Sequence, residues 1–513
     1  MKRIKIPGPP GTGKTYRLIH HYLNLELNQN KTRHERILYV GFSNAAVDEA
    51  RKRIDSLYPG NKIVVSTLHA LGKQTLNLDS NLLLKGKRWQ EFADRFGHND
   101  LKYDSTESET GFYIHDDNNY LKVIEYAKNK LIGRDDLGHA AEELGKINDL
   151  NVDRCKQIYQ DIEDFKRDEK MYEFSDMIKK FIDEECTLSL DAVFLDEAQD
   201  LNPLQWKMFY QIERGCDRSY IAGDDDQAIY SFQGASAKEF IELEGELDPQ
   251  IQSNRVPKRI HQKAVSILMN IEERLPKQWN PRTGDEGEVV EHMEIEEVDF
   301  TKQNWMILVR RNKQMSSIVE HLENNGLYFE CKYGKLLSMS LLRAWRIWDR
   351  LNQGASVEGR EAQQLYAECF KVKYGQVRQG FANGKSLDGI NSVTLEDLKE
   401  HHGLLIEGDW KQLNMSEDQK NYIQELLDSG ENLHQNPRIK ISTLHKVKGE
   451  ECENVILFTD LSWFIYNECT KTRALTDTEH RVWFVGVTRA KKRLYLMSQN
   501  PNKEQYNIGE DII

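Results

Sequence analysis

The chain has 513 residues, of which 39% are hydrophobic and 30% charged, and its formal net charge is −13. This length and composition indicate a soluble globular protein of roughly two to four domains and exclude a disordered chain. The negative charge argues against a protein coated in nucleic acid. It is compatible with a local basic groove, because salt screens electrostatic fields over short distances.

The sequence also limits where the protein works. No apolar run approaches the length of a membrane span, and the N-terminal residues lack the apolar stretch of a signal peptide. The seven cysteines include no C-x-x-C pair, which argues against a disulfide framework or a zinc site. We therefore expect a cytoplasmic protein with no membrane contact.

A glycine-rich loop lies near the start of the chain, between a strand-like run at 4–6 and an amphipathic helical pattern from Tyr16 onward. The loop consists of Gly8, Pro9, Pro10, Gly11, Thr12, Gly13, Lys14 and Thr15. This GxxxxGK(S/T) pattern predicts a P-loop, in which successive backbone N–H groups point at one phosphate. Lys14 would reach the β- and γ-phosphates, and the Thr15 hydroxyl would ligate Mg²⁺. We expect binding of ATP, or of another nucleoside triphosphate, with Mg²⁺.

A second motif supplies the acidic half of such a site. An apolar run at 191–195 ends in two adjacent carboxylates, Asp196 and Glu197. Asp196 would hold Mg²⁺ through water, and Glu197 would accept the proton of the attacking water. A helix-capping acidic cluster is the alternative, but the P-loop upstream favours hydrolysis. Farther along, Gln227 is placed to contact both the γ-phosphate and the attacking water.

Strand and helix patterns alternate in the first part of the chain. Strands are predicted at 37–40 and 63–70, with a helix at 47–57 between them. This alternation predicts a parallel sheet covered by helices, an α/β fold. Ligands bind at the carboxyl ends of such strands, and polar or aromatic side chains lie at or just after the ends of both strands here. These candidates are Phe42, Asn44, Thr67 and His69.

Two aromatic side chains, Tyr230 and Phe232, lie beside the polar turn after the strand predicted at 219–222. Rings in such a position are suited to stacking on unpaired bases. Burial in the core is the alternative for these rings, and their local sequence alone favours it.

Two helical regions interrupt the sheet patterns. The first extends from about 77 to 170, with predicted helices at 89–96, 121–132 and 152–165. The second extends from about 338 to 436. Between and after them, the patterns predict a second sheet with strands at 305–310, 328–333, 454–458 and 494–497, a sheet segment at 439–449 and a helix at 314–324.

Taken in order, these segments resemble the motifs of superfamily one helicases of the UvrD/PcrA/Rep type. The matching segments are GPPGTGKT at 8–15, GFSNAAVDEARKRI at 41–54, VSTLHALG at 65–72, DEAQD at 196–200, GDDDQAIYSFQGA at 223–235, QSNRVPKRI at 252–260, ISTLHKVKGEE at 441–451 and FVGVTRAKKRLYL at 484–496. The insertions match only in position and helical character.

The resemblance implies an α/β fold with two RecA-like parallel-sheet P-loop domains, each with a helical insertion. The implied divisions are motor domain 1A at 1–76 and 171–253, insertion 1B at 77–170, motor domain 2A at 254–337 and 437–513, and a reduced insertion 2B at 338–436. ATP would bind between the motor domains. Arg489 would act as an arginine finger, Arg255 would reach the γ-phosphate, and Glu451 would approach the ribose.

The resemblance also implies movement on single-stranded DNA from 3′ to 5′, powered by closing and opening of the two motor domains. The expected partners are single-stranded DNA and single-strand/duplex junctions, and the expected active form is a monomer in the cytoplasm of a bacterium or a phage-infected host. The implied strand contacts are Phe42, Asn44, Thr67, His69, Tyr230, Phe232, Arg310, Thr443 and His445.

The sequence departs from the family in two elements that read adenine. Relatives carry a glutamine-containing segment upstream of the P-loop, whereas only seven residues precede the loop here. Relatives also carry a base-stacking tyrosine before the motif IV arginine, where this chain has Asn254. We therefore expect weak selectivity for adenine. The short second insertion and tail are consistent with a compact form encoded by a phage or mobile element.

Other functions remain compatible with the same motifs. A regulatory ATPase, stimulated by single-stranded nucleic acid, would remodel nucleoprotein with the same site but without processive unwinding. A motor directed to RNA is also compatible, because none of the implied strand contacts rejects a 2′-hydroxyl. A nuclease is disfavoured, since no additional carboxylate cluster with a lysine lies outside the motor motifs.

Overall fold

The computed structural model describes residues 2–29, 34–101, 106, 107, 113, 114, 118–331, 336–500, 502 and 504–512. The strands are β1 (Lys2–Pro7), β2 (Ile37–Val40), β3 (Val64–Ser66), β4 (Thr106–Glu107), β5 (Tyr113–Ile114), β6 (Leu190–Leu195), β7 (Cys216–Gly223), β8 (Glu246–Leu247), β9 (Glu288–Glu291), β10 (Trp305–Val309), β11 (Phe329–Glu330), β12 (Val357–Glu358), β13 (Ser392–Val393), β14 (Ile439–Thr443), β15 (Cys452–Phe458) and β16 (Ala490–Met497).

The helices lie between these strands, and a π-helical stretch, Arg17–Leu23, joins the first two. They are α1 (Lys14–Tyr16), α2 (Asn24–Gln29), α3 (Asn44–Leu57), α4 (Leu68–Thr75), α5 (Lys87–Phe96), α6 (Asn119–Asn129), α7 (Leu137–Glu143), α8 (Val152–Glu169), α9 (Phe174–Asp183), α10 (Pro203–Glu213), α11 (Ala237–Glu242), α12 (Lys258–Leu268), α13 (Met315–Asn324), α14 (Met339–Asn352), α15 (Gly359–Cys369), α16 (Leu395–His401), α17 (Glu417–Asp428), α18 (Trp463–Cys469) and α19 (Arg473–Val487).

Two parallel sheets organise the molecule. In the described part of the chain, the first has the order β3-β2-β6-β7-β1-β8 and the second the order β11-β14-β10-β15-β16-β9. All the described strand pairings within each sheet are parallel. Helices cover both faces of the first sheet, so Ile37 and Tyr39 enter one core while Leu38 and Val40 enter another. The predicted α/β fold is confirmed.

The two helical insertions pack differently. The first has a hydrophobic core of its own, with Trp89, Phe92 and Ile158 buried in it. The second shares one continuous core with the second sheet, where Trp345 and Trp348 belong to the same cluster as Trp305. The first insertion is therefore a separate packing unit, whereas the second is joined to its sheet.

Several predicted element boundaries are wrong. The strand predicted at 63–70 ends at Ser66, because the Thr67 hydroxyl accepts a hydrogen bond from Ala70 N (3.2 Å) and starts α4. The strand predicted at 494–497 begins earlier, at Ala490. Of the strand predicted at 328–333, Phe329–Glu330 forms β11, and residues 332 and 333 lie outside the described residues.

All seven cysteines are free thiols. Among the residues that the structure describes, no helix is long and apolar enough to cross a bilayer.

Candidate functional site

The P-loop connects β1 to α1 and curves around its own lysine. Gly11 (φ 75°) and Gly13 (φ 84°) both adopt left-handed backbone conformations, which glycine permits without steric cost. The Lys14 side chain is buried and its Nζ donates to Gly8 O (2.8 Å). The ammonium group is therefore held inside the loop, where it would meet a phosphate chain.

A segment from beyond the first sheet lies against this loop. The Ser253 hydroxyl donates to Pro10 O (3.0 Å), and Asn254 N donates to Gly11 O (2.8 Å). A Cβ atom at Gly11 would lie 2.5 Å from Arg255 Cβ and 2.7 Å from Ser253 Oγ. Gly11 is therefore required for this close approach as well as for its backbone conformation.

Asp196 is buried at the end of β6 and lies beside the P-loop threonine. Its Oδ2 accepts hydrogen bonds from Thr15 Oγ1 (2.7 Å) and from the Tyr39 hydroxyl (2.9 Å). Burial, and then the charge of Glu197, raise the pKa of Asp196 above its ordinary value. Adjacent hydroxyl and carboxylate oxygens are the ligands that Mg²⁺ prefers, so this pair fits that cation.

The described residues contain no cluster of three or more His, Cys, Asp or Glu side chains suited to a metal ion. A Mg²⁺ ion at Thr15 and Asp196 would thus depend on further oxygens from phosphate and water, as is usual for this ion in phosphoryl-transfer sites.

Glu197 adopts a left-handed backbone conformation (φ 55°), which is uncommon for a residue with a side chain and typical of functional positions. Its Oε2 accepts a hydrogen bond from Gln199 Nε2 (2.6 Å). Burial works to raise the pKa of Glu197, but the cations Lys448 and Lys14 outweigh it, so the pKa is lowered. The carboxylate is therefore ionised at neutral pH, as a general base must be.

Gln227 connects the two sheets. Its Nε2 donates to Asp224 Oδ2 (2.7 Å), and its Oε1 accepts from Arg489 Nη2 (3.0 Å). A carboxylate can only accept and a guanidinium can only donate, so these two neighbours determine which way the amide points. Sequence reasoning placed Gln227 and Arg489 in one site, and the structure brings them into contact.

Arg489 lies between α19 and β16 of the second sheet and is 1% exposed. Its Nε donates to Val485 O (2.8 Å) and its Nη1 to Glu450 O (3.2 Å), which orients the guanidinium toward the first sheet. Burial, and then the nearby charge of Arg255, lower the pKa of Arg489 to about 9. The residue thus stays protonated at neutral pH.

Arg255 and Glu451, which the family resemblance also implied at the nucleotide site, pair with each other. Arg255 forms an ion pair with Glu451, and Glu451 also pairs with Lys491 (3.0 Å). The Arg255 side chain is 19% exposed and the Glu451 side chain 37%. The pair therefore lies at the more open edge of the site, and the γ-phosphate and ribose contacts implied for it stay predictions.

Sequence reasoning missed a cation with a buried side chain, Lys448, at the same interface. Lys448 Nζ donates to Asp200 Oδ1 (2.7 Å) and to Gln227 O (2.7 Å). Burial raises the pKa of Asp200 to about 7, although Lys448 opposes that shift. Lys448 lies in the segment ISTLHKVKGEE, which resembles a motif of the family. That resemblance was the available signal that Lys448 belongs to the site.

The second missed group is an acidic triplet with two cations. Lys277 Nζ contacts Asp224 Oδ1 (2.7 Å), Asp226 Oδ2 (2.9 Å) and Asp225. Arg274 makes a two-point contact with Asp226 (2.9 and 2.8 Å). These carboxylates have side-chain exposures of 1% or less, so they need such partners. Three consecutive aspartates after a buried strand were the available signal.

A row of aromatic rings lies on the other side of this interface. The Phe232 ring is 43% exposed and lies 5.7 Å from the His445 ring and 6.1 Å from the Tyr230 ring. Tyr230 is in turn 5.2 Å from Phe42, and Lys448 Nζ lies 5.3 Å from the Tyr230 centroid. Phe232 is therefore the ring of this row that is best placed to stack on a base.

The remaining implied strand contacts divide into exposed and buried residues. Asn44 is exposed in the first turn of α3. Thr67, His69 and Thr443 are buried, and burial lowers the pKa of His69 to about 4. Burial lowers the pKa of His445 to about 3, so both imidazoles are neutral at physiological pH.

Arg310 is placed differently from the expectation of a direct strand contact. Its guanidinium makes two hydrogen bonds to Glu479 (2.8 Å each), and its side chain is only 15% exposed. A phosphate contact from Arg310 would have to break this ion pair. Folding brings the two charges together, although Glu479 lies 169 residues away from Arg310 in the chain.

Comparison with known proteins agrees with this arrangement. Residues 2–248 match the profile of the UvrD/REP helicase N-terminal domain, and residues 351–500 match that of the UvrD-like helicase C-terminal domain. The chain is 25% identical over 353 residues to the ATP-dependent DNA helicase PcrA of Leuconostoc citreum, covering 61% of this chain and 45% of that protein.

Two further relatives are similar over shorter stretches. The ATP-dependent DNA helicase Rep of Buchnera aphidicola subsp. Schizaphis graminum (strain Sg) is 26% identical over 241 residues, 44% of this chain and 35% of that protein. PcrA of Bacillus subtilis (strain 168) is 25% identical over 297 residues, 54% of this chain and 39% of that protein. The matched stretch is less than half the length of each of these relatives. With two RecA-like parallel sheets and both family profiles matched, the chain belongs to the UvrD-like helicase family.

Proposed function

We propose that the protein is an NTP-dependent DNA helicase or translocase that moves on single-stranded DNA from 3′ to 5′. The observation that carries this proposal is the contact between Gln227 of the first sheet and Arg489 of the second (3.0 Å). A hydrolytic site completed by both sheets makes turnover depend on their relative position. Such dependence is what a motor needs to convert hydrolysis into movement.

Each side chain has a defined task in this proposal. The P-loop amides and Lys14 bind the phosphates, while Thr15 and Asp196 would hold Mg²⁺, which neutralises charge on the phosphate oxygens when bound. Glu197 accepts the proton of the attacking water, and Gln227 orients that water. Arg489 stabilises the charge that develops on the γ-phosphoryl group.

Movement follows from strand contacts on both sheets. Phe232 follows β7 of the first sheet, and His445 follows β14 of the second, with their rings 5.7 Å apart. Closing and opening of the site changes the spacing of these contacts, so that one side holds the strand while the other slides. One chain supplies both halves of the site, which supports a monomer acting in the cytoplasm at single-strand/duplex junctions.

We also propose weak selectivity for the base. Asn254 is exposed beside Gly11, and its short amide offers no ring to stack on a purine. The protein would then hydrolyse ATP and other nucleoside triphosphates at comparable rates. A strong preference for ATP over GTP in DNA-stimulated hydrolysis would contradict this part of the proposal.

Tailed duplexes test the function directly. With ATP, we expect unwinding of a duplex that carries a 3′ single-stranded tail and little unwinding with a 5′ tail. Displacement of streptavidin from biotinylated single strands without unwinding would indicate nucleoprotein remodelling instead. Stronger stimulation of hydrolysis by poly-U than by poly-dT would indicate an RNA-directed motor. The Glu197→Gln variant serves as the control without turnover.

A further inference from the structure

An exposed pair of aromatic residues begins α18, the helix that follows β15. Trp463 is 75% exposed and Phe464 is 44% exposed. All nine tryptophans of the chain lie in the described ranges, and Trp463 is the only exposed one among them. None of the tasks assigned to the nucleotide site or to the row of rings at Phe232 uses this pair.

Positive charge surrounds the pair. Lys146 Nζ lies 5.1 Å from the Phe464 ring centroid, and Arg311 Cζ lies 5.3 Å from it. Trp463 and Phe464, together with these two cations, form an exposed patch. Lys146 belongs to the first insertion, so the patch bridges that insertion and the second sheet. The facing carboxylates are Glu468, which pairs with Lys146 (3.6 Å) and Lys471 (2.7 Å), and Asp149, which pairs with Lys146 (3.5 Å). Three cations against two carboxylates leave the patch positive.

The patch continues the edge that carries the strand contacts. In the second sheet β14, β10 and β15 are parallel neighbours, so their carboxyl ends lie along one edge. His445 follows β14 and Arg311 follows β10. Arg311 Nη1 donates to the hydroxyl of Ser462 (3.3 Å), the residue that caps α18. The ring contact of Phe232 with His445 therefore lies at the same edge of the second sheet as Arg311 and Trp463.

We propose that Trp463 is a further stacking site for an unpaired base of a nucleic-acid strand, beyond the site at Phe232. This inference rests on the proposed function and names a second contact point on the same strand. An exposed indole stacks on any base, and Lys146 and Arg311 neutralise the flanking phosphates. The flanking cations favour a polyanion over an apolar protein surface.

The test uses the indole itself as the probe. Because the other tryptophans are at least partly buried, quenching of fluorescence by oligo-dT reports mainly on Trp463. We expect titration with oligo-dT to quench the wild-type protein and to leave the Trp463→Phe variant largely unquenched. We expect Trp463→Ala to weaken binding of long oligo-dT by about 5- to 150-fold. Trp463→Phe should recover most of that affinity, because it keeps a ring.

Oligonucleotide length separates the two contact points. Short oligo-dT that reaches only the rings at Phe232 should bind wild type and Trp463→Ala equally well, whereas longer oligomers should distinguish them. Met269→Ala is the matched control, since Met269 is 78% exposed at the end of α12 and has no ring. Its affinity for every length should equal that of wild type.

The outcomes distinguish the inference from the function on which it rests. Unchanged affinity and unchanged quenching at Trp463, together with weaker binding in Phe232→Ala, would overturn the inference and leave the proposed function intact. No binding of oligo-dT by the wild-type protein would overturn both. Loss of a dimer in Trp463→Ala during sedimentation would show that a second copy covers the patch, and this too would overturn the inference.

Discussion

The two sides of the interface between the sheets are built in opposite ways. On the nucleotide side, charged and polar groups are buried and hold one another, as Arg489 (1% exposed), Asp224 (0%) and Gln227 (6%) do. On the side proposed for the strand, large rings are open to solvent, as Phe232 (43%) and Trp463 (75%) are. Phosphoryl transfer needs charges fixed away from water, whereas a moving strand needs surfaces that bases can leave.

This difference predicts two kinds of variants. Substitutions on the nucleotide side should change the turnover rate with little change in strand affinity. Substitutions on the strand side should do the reverse. Glu197→Gln, Asp224→Asn, Phe232→Ala and Asn254→Tyr test the contrast, in order of decreasing expected effect.

The largest effect is expected for Glu197→Gln. The glutamine keeps the shape of the side chain but cannot accept a proton, so hydrolysis should fall by about 10²- to 10⁴-fold. Nucleotide and single strands should still bind, as measured with a fluorescent nucleotide and labelled oligo-dT. Turnover within a few-fold of wild type would remove Glu197 from the role of general base.

The next effect is expected for Asp224→Asn, which alters a residue that orients Gln227. Asp224 accepts a hydrogen bond from the Gln227 amide and also contacts Lys277. A misplaced amide should lower kcat about hundredfold, with KM nearly unchanged. Steady-state hydrolysis at saturating oligo-dT measures both constants.

Asp226→Asn is the matched control for that variant. Asp226 is equally buried and pairs with Lys277 and Arg274, but it makes no side-chain contact with Gln227. Both variants should lose similar thermal stability, measured by unfolding, while kcat falls mainly in Asp224→Asn. Equal loss of kcat in both would show that the acidic triplet acts only through stability.

A smaller effect, on affinity, is expected for Phe232→Ala. Removing the exposed ring should weaken single-strand binding by roughly 1–3 kcal/mol, because one base loses its stacking partner. Binding of nucleotide should be unchanged. Fluorescence anisotropy of labelled oligo-dT measures the change, with Met269→Ala as a control at an exposed apolar side chain that has no ring. Wild-type affinity in Phe232→Ala would indicate that the ring only packs against its neighbours.

The smallest effect is expected for Asn254→Tyr. A ring at this exposed position can stack on the purine, and such contacts contribute about 0.5–1.5 kcal/mol, roughly two- to tenfold in affinity. The ratio of kcat/KM for ATP to that for CTP should rise accordingly. An unchanged ratio would mean that position 254 does not approach the base.

Local patterns predicted the parts of the site that depend on neighbouring residues. The P-loop glycines, Asp196 and Glu197 lie at strand ends, where sequence and geometry are directly linked. The length of β3 was wrong because the Thr67 hydroxyl caps α4, and such a cap competes with strand extension.

Contacts between distant residues could not be predicted in the same way. Lys277 meets Asp224 across 53 residues, and Arg310 meets Glu479 across 169. Neither pairing leaves a local pattern, because only the packing of elements that are far apart in the chain brings the charges together. The burial of Arg310 was missed for that reason, and so was the role of Lys277.

The Arg489→Ala variant tests most directly whether one site is shared by the two sheets. We predict nearly normal nucleotide binding and a loss of strand-stimulated turnover of about a thousandfold. Arg493→Ala, within β16 just after Arg489 and paired with Glu288 (3.1 Å), should retain turnover and serves as the control. Near-normal hydrolysis in Arg489→Ala, with nucleotide bound and the fold intact, would contradict a site completed by the second sheet.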